Sequence, residues 1–384
     1  MTARAVLTVD LAVLQENYRL LLSVLREKGD PSARLTAVLK ADAYGHGAAA
    51  CAAALYAAGA RSFAVSSLGE AEELRPFAPG AEILILGYVP PEDAAEVSLS
   101  GFSLSVPSLS YAAELSRAVG GRPLSVDIKL NTGMNRTGFS LTGESLSATL
   151  SEIRALASLP GLRVHGIYSH FATADDGQDS LYAEQLLRFR TALSLLEKRG
   201  IRAPAHIGAS ASLFRDGGGG FPLCRAGLSL FGYPATPADV PLPGLAPVAV
   251  LEASLIQSFP LPPGERVGYG GLFSSEKPER VGILALGYAD GLPRSATGAC
   301  VFAGDRPLPL IGRVSMDSAA CLLTSLPEGI RLPALRIFGK TPEELFALSA
   351  HCGTIPYELL ARLGKRIYRK YVYGTNSERP LSPE

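Results

Sequence analysis

The stretch Leu35-Thr-Ala-Val-Leu-Lys40-Ala-Asp-Ala-Tyr44-Gly45-His46-Gly47 joins an apolar run to a lysine and two glycines, and an alanine-rich segment follows it. The run predicts a strand, Leu35–Lys40, and the segment predicts a helix, Gly47–Ala58. A strand in a parallel sheet is buried on both faces, so an unpaired lysine at its end is costly. Burial also lowers the pKa of a lysine amine and makes it a better nucleophile and base. The pattern suits a carbonyl cofactor that Lys40 holds as a Schiff base, with a phosphate near a helix N-terminus.

The same alternation of strand and helix continues to about residue 235 and predicts an α/β fold, a parallel (β/α)8 barrel. The predicted strands are Leu35–Lys40, Ser62–Ser66, Glu82–Gly87, Phe102–Val106, Leu124–Leu130, Arg163–His170, Ala205–Gly208 and Cys224–Ala226. The helix candidates include Gly47–Ala58, Glu70–Phe77, Glu92–Leu99, Ser108–Val119 and Tyr182–Lys198. Before them, Ala5–Val9 predicts a strand, and Asp10 is a plausible N-cap for a helix over Leu11–Lys28.

After Tyr233 the sequence changes to a proline-rich linker that contains Pro234, Pro237, Pro241, Pro243 and Pro247. Short runs with turn residues between them then predict a mostly β domain. They are Val248–Phe259, Arg266–Tyr269, Arg280–Leu286, Ala299–Ala303, Arg306–Ile311 and Ala319–Leu323. A helix is predicted over Thr354–Arg369. We therefore expect two domains, 1–240 and 241–384, with the N-terminal strand joining the second.

Composition indicates a globular cytoplasmic enzyme. Lysine plus arginine and aspartate plus glutamate number 36 each in 384 residues, so charge gives no reason to expect nucleic acid or an acidic membrane as partner. The five cysteines are scattered and predict reduced core residues, with neither a disulfide frame nor a metal site. The N-terminus shows no signal-peptide pattern, and the longest stretch of low polarity, Ala48 to Ala60, is too short to span a bilayer.

Residues 38–47 resemble the pyridoxal-phosphate attachment motif of the alanine racemase family, a fold-type III group of pyridoxal-phosphate enzymes. Further motifs in the family's order extend the resemblance over residues 35–369. The resemblance implies a homodimer that interconverts L- and D-alanine and supplies D-alanine for peptidoglycan. Each active site would combine the barrel of one subunit with the β domain of the other.

The resemblance assigns the cofactor to residues of the barrel and one C-terminal tyrosine. Arg225, in Cys224-Arg-Ala-Gly227-Leu228, would bond the pyridine nitrogen, and His170 would stack on the ring and bond Arg225. An arginine can only donate, so the ring nitrogen stays unprotonated and the ring is a weaker electron sink. The phosphate would bind Ser210, the backbone amides of Gly227 and Leu228, and the hydroxyls of Tyr44 and Tyr357. Ala209 stands where many members have asparagine.

The resemblance also assigns two groups of residues to the substrate. Arg136 would contact the substrate carboxylate, and Lys129, which is often carbamylated in the family, would pair with it; Asn131 replaces the more usual aspartate. Met316 would bind the carboxylate through its amide, Asp317 would order the site, and Tyr288 would lie at the entrance with Tyr357.

Tyr269, in Arg266-Val-Gly-Tyr269-Gly-Gly, resembles the second catalytic base of the family. Racemisation removes a proton from one face of the α-carbon and returns it to the other, which two bases on opposite faces do most simply. Lys40 and Tyr269 would form that pair. A phenol, with an ordinary pKa near 10, needs nearby cations such as Arg136 to act as a base.

Several alternatives remain at this point. Lys40 could extend its amine into water at the barrel mouth. Gly45-His-Gly47-Ala-Ala-Ala50, with Glu70 downstream, matches a dinucleotide-binding pattern. The same barrel could carry the cofactor without turnover, and a racemase that prefers serine or accepts many amino acids would share these motifs.

Overall fold

Eight parallel strands form a nearly closed barrel in the N-terminal part of the chain, as the alternating sequence pattern predicts. The computed structural model describes residues 4–141, 146–176, 180–235, 244–327 and 332–374. The barrel strands are β2 (Arg34–Val38), β3 (Ser62–Val65), β4 (Glu82–Ile85), β5 (Ser103–Val106), β6 (Leu124–Asn131), β8 (Leu162–Tyr168), β9 (Ala205–His206) and β10 (Leu223–Ala226). They are adjacent in chain order, β10 pairs with β2, and a short strand β7 (Phe139–Ser140) pairs with β6. Near β9 and β10, the N–H of Arg225 donates to the carbonyl of Gly208 (3.2 Å).

Helices connect these strands. Asp10 caps α1 by accepting from the N–H groups of Ala12 and Val13, as expected for the predicted helix. The segments are α1 (Leu11–Lys28), α2 (Lys40–Gly45), α3 (Ala48–Ala57), α4 (Leu68–Leu74), α5 (Ala94–Leu99), α6 (Leu109–Val119), α7 (Leu146–Ala157), α8 (Leu181–Glu197) and α9 (Ser210–Asp216). The stretch from Ser210 to Leu223 thus contains a helix as well as its glycines.

A mostly antiparallel sheet forms the second part of the structure. Its strands are β1 (Ala5–Asp10), β11 (Ala249–Leu261), β14 (Glu279–Leu284), β15 (Cys300–Ala303), β16 (Arg306–Ile311), β17 (Ala319–Leu322), β18 (Ala334–Phe338) and β19 (Tyr368–Val372). A separate hairpin joins β12 (Arg266–Val267) to β13 (Phe273–Ser274), and two helices follow, α10 (Pro342–His351) and α11 (Pro356–Ala361). β1 pairs antiparallel with β11 and parallel with β19, so both ends of the chain meet in this sheet.

Several predicted elements end earlier in the structure. The first barrel strand ends at Val38, so Lys40 belongs to the next segment. The helix predicted to Arg369 ends at Ala361, because the aromatic and β-branched residues after it pair as β19 with β1. The strand predicted to Tyr269 ends at Val267, and Tyr269 begins a 3-10 turn. The linker residues Pro237, Pro241 and Pro243 lie outside the described residues.

Among the helices that the structure describes, none has the length and apolar character needed to cross a membrane.

Candidate active site

A cavity of about 830 Å³ opens at the carboxyl ends of the barrel strands, where the active sites of such barrels lie. This volume lies within the range of small-molecule sites. The predicted residues that line it are Lys40, Tyr44, Lys129, Arg136, His170, Ser210, Arg225, Gly227, Leu228 and Tyr357.

Lys40 opens α2, which is a left-handed helical turn. Residues 41–44 have φ of 53–54° and ψ of 43–53°, although none of them is glycine. Each such residue costs roughly 1–2 kcal/mol, so the turn stores about 4–8 kcal/mol of strain. Hydrogen bonds hold it, among them that from the N–H of Ala43 to the carbonyl of Leu39 (2.9 Å). The turn brings the Lys40 amine and the Tyr44 ring to one cavity.

Gly45 and Gly47 let the C-terminal domain pack directly against this turn. A Cβ on Gly45 would lie 2.3 Å from the carbonyl oxygen of Leu360, and a Cβ on Gly47 would lie 1.8 Å from the hydroxyl of Tyr371. The two glycines are therefore explained by contact between domains. These contacts give the glycines a role other than binding a dinucleotide, which argues against the dinucleotide alternative.

The guanidinium of Arg225 donates hydrogen bonds to acceptors from several residues. Its NH2 donates to Nδ1 of His170 (3.0 Å) and to the carbonyl of Ser169 (2.8 Å), and its NH1 donates to Nδ1 of His206. Burial and the charge of Arg225 lower the pKa of His170 to about 3 and that of His206 well below its ordinary value. Both rings are therefore neutral acceptors. Because an arginine only donates, a group that binds Arg225 from the cavity must bring an acceptor.

Tyr168 is a cavity residue that the sequence analysis did not single out. Its hydroxyl lies 2.6 Å from Oγ of Ser105, and its ring lies under the guanidinium of Arg225 (5.2 Å) and the amine of Lys129 (5.8 Å). The ring thus supports two cations. Its place at the end of β8, two residues before His170, is the signal that could have found it.

Hydroxyl and backbone N–H groups cluster where β10 ends and α9 begins. Oγ of Ser210 accepts from the N–H of Gly227 (3.2 Å), and a Cβ on Gly227 would lie 2.4 Å from the Tyr44 hydroxyl. The rings of Tyr44 and Tyr357 lie 6.1 Å apart, and burial raises the pKa of both phenols, that of Tyr357 to about 12. These tyrosines are therefore neutral donors at ordinary pH.

This set of groups fits pyridoxal phosphate. The cofactor brings an anionic phosphate for the hydroxyl and N–H cluster, a ring nitrogen that accepts from Arg225, and an aldehyde for the Lys40 amine. Among the described residues that line the cavity, the cations are Lys40, Lys129, Arg136 and Arg225, and Asp175 is the carboxylate. This balance favours an anionic ligand.

Lys129 lies in the cavity close to Arg136. Its amine donates to Oγ1 of Thr137 (2.6 Å), and burial followed by the charge of Arg136 lowers the pKa of Lys129 to about 8.

The turn after Lys129 shows how the chain accommodates Asn131. The side-chain amide of Asn131 accepts from the N–H of Asn135 (2.9 Å) and donates to Oδ1 of Asn135 (3.0 Å). The second bond needs a donor that aspartate lacks.

Ala209, which stands where many family members have asparagine, lies at the start of the helix that presents Ser210. It precedes α9 and has no side-chain oxygen to cap that helix. Oγ of Ser212 accepts from the N–H of Ala209 (2.9 Å), so only one of the two bonds of a capping box is present before Ser210.

The other predicted residues lie on the C-terminal domain, outside the lining of this cavity. Tyr269, Met316 and Tyr288 are 70%, 53% and 45% exposed. Asp317 pairs with Arg366 (2.8 Å), which also pairs with the buried Asp290 (2.8 Å). Within one chain, Tyr269 is thus not among the residues that share the cavity with Lys40.

The chain matches two family models over nearly its whole length. The N-terminal domain of alanine racemase matches residues 9–235, and its C-terminal domain matches residues 248–371. The chain belongs to the alanine racemase family.

Similar proteins in this family span the whole chain. An alanine racemase from Brucella abortus is 36% identical, with 97% of this chain and 95% of that protein covered. One from an Azoarcus species is 37% identical, with 94% and 97% covered. The crystal structure of biosynthetic alanine racemase from Pseudomonas aeruginosa has a TM-score of 0.85 at 34% identity and covers 97% of this chain and 100% of that one. The alanine racemase from Bartonella henselae, solved with covalently bound pyridoxal phosphate, has a TM-score of 0.86 at 29% identity, with 96% and 100% covered.

Proposed function

We propose that this protein interconverts L-alanine and D-alanine with pyridoxal phosphate as its cofactor. The cavity that Lys40 shares with the Arg225–His170 pair, in a chain that matches both family domains, carries this proposal. When bound, the cofactor withdraws electrons from the substrate α-carbon and makes its proton acidic. Lys40 would hold its aldehyde carbon, and its phosphate would bind Ser210, Tyr44, Tyr357 and the amides of Gly227 and Leu228.

Arg225 would limit the chemistry to proton transfer. Its guanidinium is held by His170 and His206 and can only donate, so it would donate to the ring nitrogen of a bound cofactor and would leave that atom unprotonated. A ring without that proton is a weaker electron sink, which would disfavour side reactions such as transamination.

Two bases would move the α-proton. Tyr269 Oη takes it from L-alanine on one face, and Lys40 Nζ delivers a proton to the other; the roles exchange for D-alanine. Burial, Arg136 and Arg225 lower the pKa of Lys40, which makes its neutral amine more accessible as a base. Arg136 and the Met316 amide bind the substrate carboxylate in this proposal.

We place Tyr269 of the partner subunit in each site, so the protein would act as a homodimer. Tyr269, Tyr288 and Met316 are exposed on the C-terminal domain and do not line the cavity of their own chain. A second copy that covers this surface would bury them and complete both sites by symmetry. We place the boundary of the two functional units near residue 240, with residues 241–384 supplying Tyr269 and with Asp317 ordering that half.

Alanine is the substrate that the entrance favours. Tyr357 lines the cavity, and with Tyr288 it would leave room for a small side chain. Serine or a broader range is the alternative, because a hydroxymethyl group is only slightly larger. We place the enzyme in the cytoplasm, where it would supply D-alanine for peptidoglycan.

Circular dichroism of L-alanine and L-serine incubated with the purified enzyme tests this proposal. We expect the signal of L-alanine to decay to zero faster than that of L-serine. The variant Lys40→Ala should lose both the decay and the absorbance of lysine-bound cofactor. No loss of optical activity with either amino acid would contradict the proposal.

A further inference from the structure

Glu70 bonds the backbone beside the reactive lysine with both oxygens of its carboxylate. Oε1 accepts from the N–H of Ala41 (2.8 Å), the residue directly after Lys40. Oε2 accepts from the N–H of Ser66 (2.6 Å), directly after β3. Because β3 pairs with β2, the carboxylate ties the Lys40 turn to the strand beside it.

The local sequence alone predicts that the Glu70 side chain helps to cap its own helix, α4. Ser67 caps α4 and its Oγ accepts from the N–H of Glu70 (3.3 Å), so serine and glutamate occupy the positions of a capping box. In a capping box the glutamate returns to the N–H of the cap residue itself. Here it bonds Ser66 and, 29 residues away in sequence, Ala41. The contact with Ala41 serves the turn and not the helix.

The turn needs such support because its backbone is strained. Residues 41–44 are left-handed, and among the described residues Asn135 is the other non-glycine with positive φ. Strain of this kind persists only where surrounding contacts hold it, and it is common at active sites. Lys40 begins the turn and Tyr44 lies in it, so the bond to the N–H of Ala41 acts on the backbone that carries both side chains.

We propose that Glu70 is a positioning residue: its carboxylate holds the left-handed turn and thereby directs the Lys40 amine toward the substrate α-carbon. This inference rests on the proposed function of Lys40.

The charge of Glu70 also acts on Lys40. Burial, Arg136 and Arg225 lower the pKa of Lys40, whereas Glu70 raises it. The other groups that sense the charge of Lys40 are Lys129 and His170. Loss of the carboxylate should therefore lower the pKa of Lys40 further.

Three variants separate these effects. Glu70→Gln keeps the shape and one acceptor, but its amide nitrogen cannot accept from the second N–H. Glu70→Ala removes both acceptors. Glu72→Gln, at an exposed position of the same helix, removes an equal charge and serves as the control.

The readouts are amide hydrogen exchange of residues 40–44, measured by mass spectrometry on the cofactor-loaded protein, and the pH dependence of kcat and KM for alanine. In Glu70→Gln we expect exchange at the turn to rise by about 10- to 100-fold, the equivalent of one hydrogen bond to a charged group. We expect kcat to fall more than KM changes. With D-alanine as substrate, for which Lys40 takes the proton, we expect the acidic limb of the kcat profile to move to lower pH. Glu70→Ala should show larger effects, and Glu72→Gln should resemble the unmodified enzyme.

Two results would overturn the inference: unchanged exchange at the turn in Glu70→Gln, or faster exchange with unchanged kcat and pH profile. Failure of the proposed function is a different result, the absence of racemisation by the unmodified enzyme. The exchange comparison of Glu70→Gln with Glu72→Gln needs no turnover, so it decides whether Glu70 holds the turn in that case too.

Discussion

Gly47 has a positive φ and also lies directly against the C-terminal domain. Its φ is 96°, and a Cβ there would lie 1.8 Å from the Tyr371 hydroxyl. Gly59 has nearly the same φ, 99°, with nothing within 4 Å of its Cβ position. The two glycines therefore differ in contact and not in φ.

We expect Gly47→Ala to lower the free energy of unfolding by about 3–5 kcal/mol, the sum of backbone strain and a forced shift of Tyr371. Gly59→Ala should cost about 1 kcal/mol, because only strain remains. Urea unfolding followed by circular dichroism measures both. Equal costs for the two variants would show that the contact with Tyr371 does not matter.

Residues in contiguous motifs can be predicted from the sequence, whereas residues that act through tertiary contacts cannot. Lys40, His170 and Arg225 lie at or just beyond the ends of apolar runs, so barrel geometry alone predicts that their side chains converge. Glu70 reaches Ala41 from a helix 29 residues away, and its local pattern indicates a capping box. Its bond to the turn is visible only in the folded chain.

Helices and strands, too, can be predicted from the sequence only where a local pattern marks them. Apolar runs predict the barrel strands within two residues at either end, because burial on both faces leaves a clear sequence pattern. The left-handed α2 has no such pattern, since residues 41–44 are held by hydrogen bonds and not by propensity. β19 is similar: its residues favour a strand, but the partner strand β1 that completes it comes from the other end of the chain.

Arg369, in β19, links this last strand to the Lys40 turn by a hydrogen bond. Its guanidinium donates to the carbonyls of Gly45 (3.2 Å), Leu363 (2.9 Å), Gly364 (2.6 Å) and Ile367 (2.8 Å). The residue thus satisfies several backbone oxygens where the two domains meet.

We expect Arg369→Ala to lower the free energy of unfolding by about 2–4 kcal/mol, because these carbonyls lose a charged donor. Arg369→Lys should recover less than half of this, since an ammonium lacks the planar fork. Lys365→Ala, at an exposed position in the same segment, is the control and should be near neutral. Chemical denaturation compares the three variants; full recovery by lysine would contradict the role of the guanidinium.

At the scale of the whole molecule, buried histidines make stability depend on pH. Burial lowers the pKa of His46 to about 4, and burial with the charge of Arg225 lowers the pKa of His170 to about 3 and that of His206 well below its ordinary value. Below about pH 6.5 the unfolded chain binds protons that the folded protein does not bind. Their contribution to stability is complete above that pH and is lost as the pH falls toward the folded values.

We expect the free energy of unfolding to decrease by up to about 1.4 kcal/mol per pH unit for each of these histidines between about pH 6.5 and 5. His46→Asn retains a donor for the carbonyls of Ala43 and Tyr44 but does not titrate, so it should reduce the slope by about a third. Denaturation curves at several pH values measure both slopes. Identical slopes would contradict the assignment of His46 as a buried neutral group.

In the proposed dimer, each site takes Lys40 from one chain and Tyr269 from the other. Lys40→Ala and Tyr269→Ala should each be inactive as homodimers. A mixed dimer would hold one site that lacks both residues and one intact site, since each chain supplies what the other has lost.

Co-expression of the two inactive variants with different tags, followed by isolation of the mixed dimer, tests this arrangement most directly. We expect the mixed dimer to racemise L-alanine at about half the rate of the unmodified dimer, because one of its two sites is intact. A mixed dimer as inactive as its parents would contradict this arrangement, because it would mean that both residues serve the same chain.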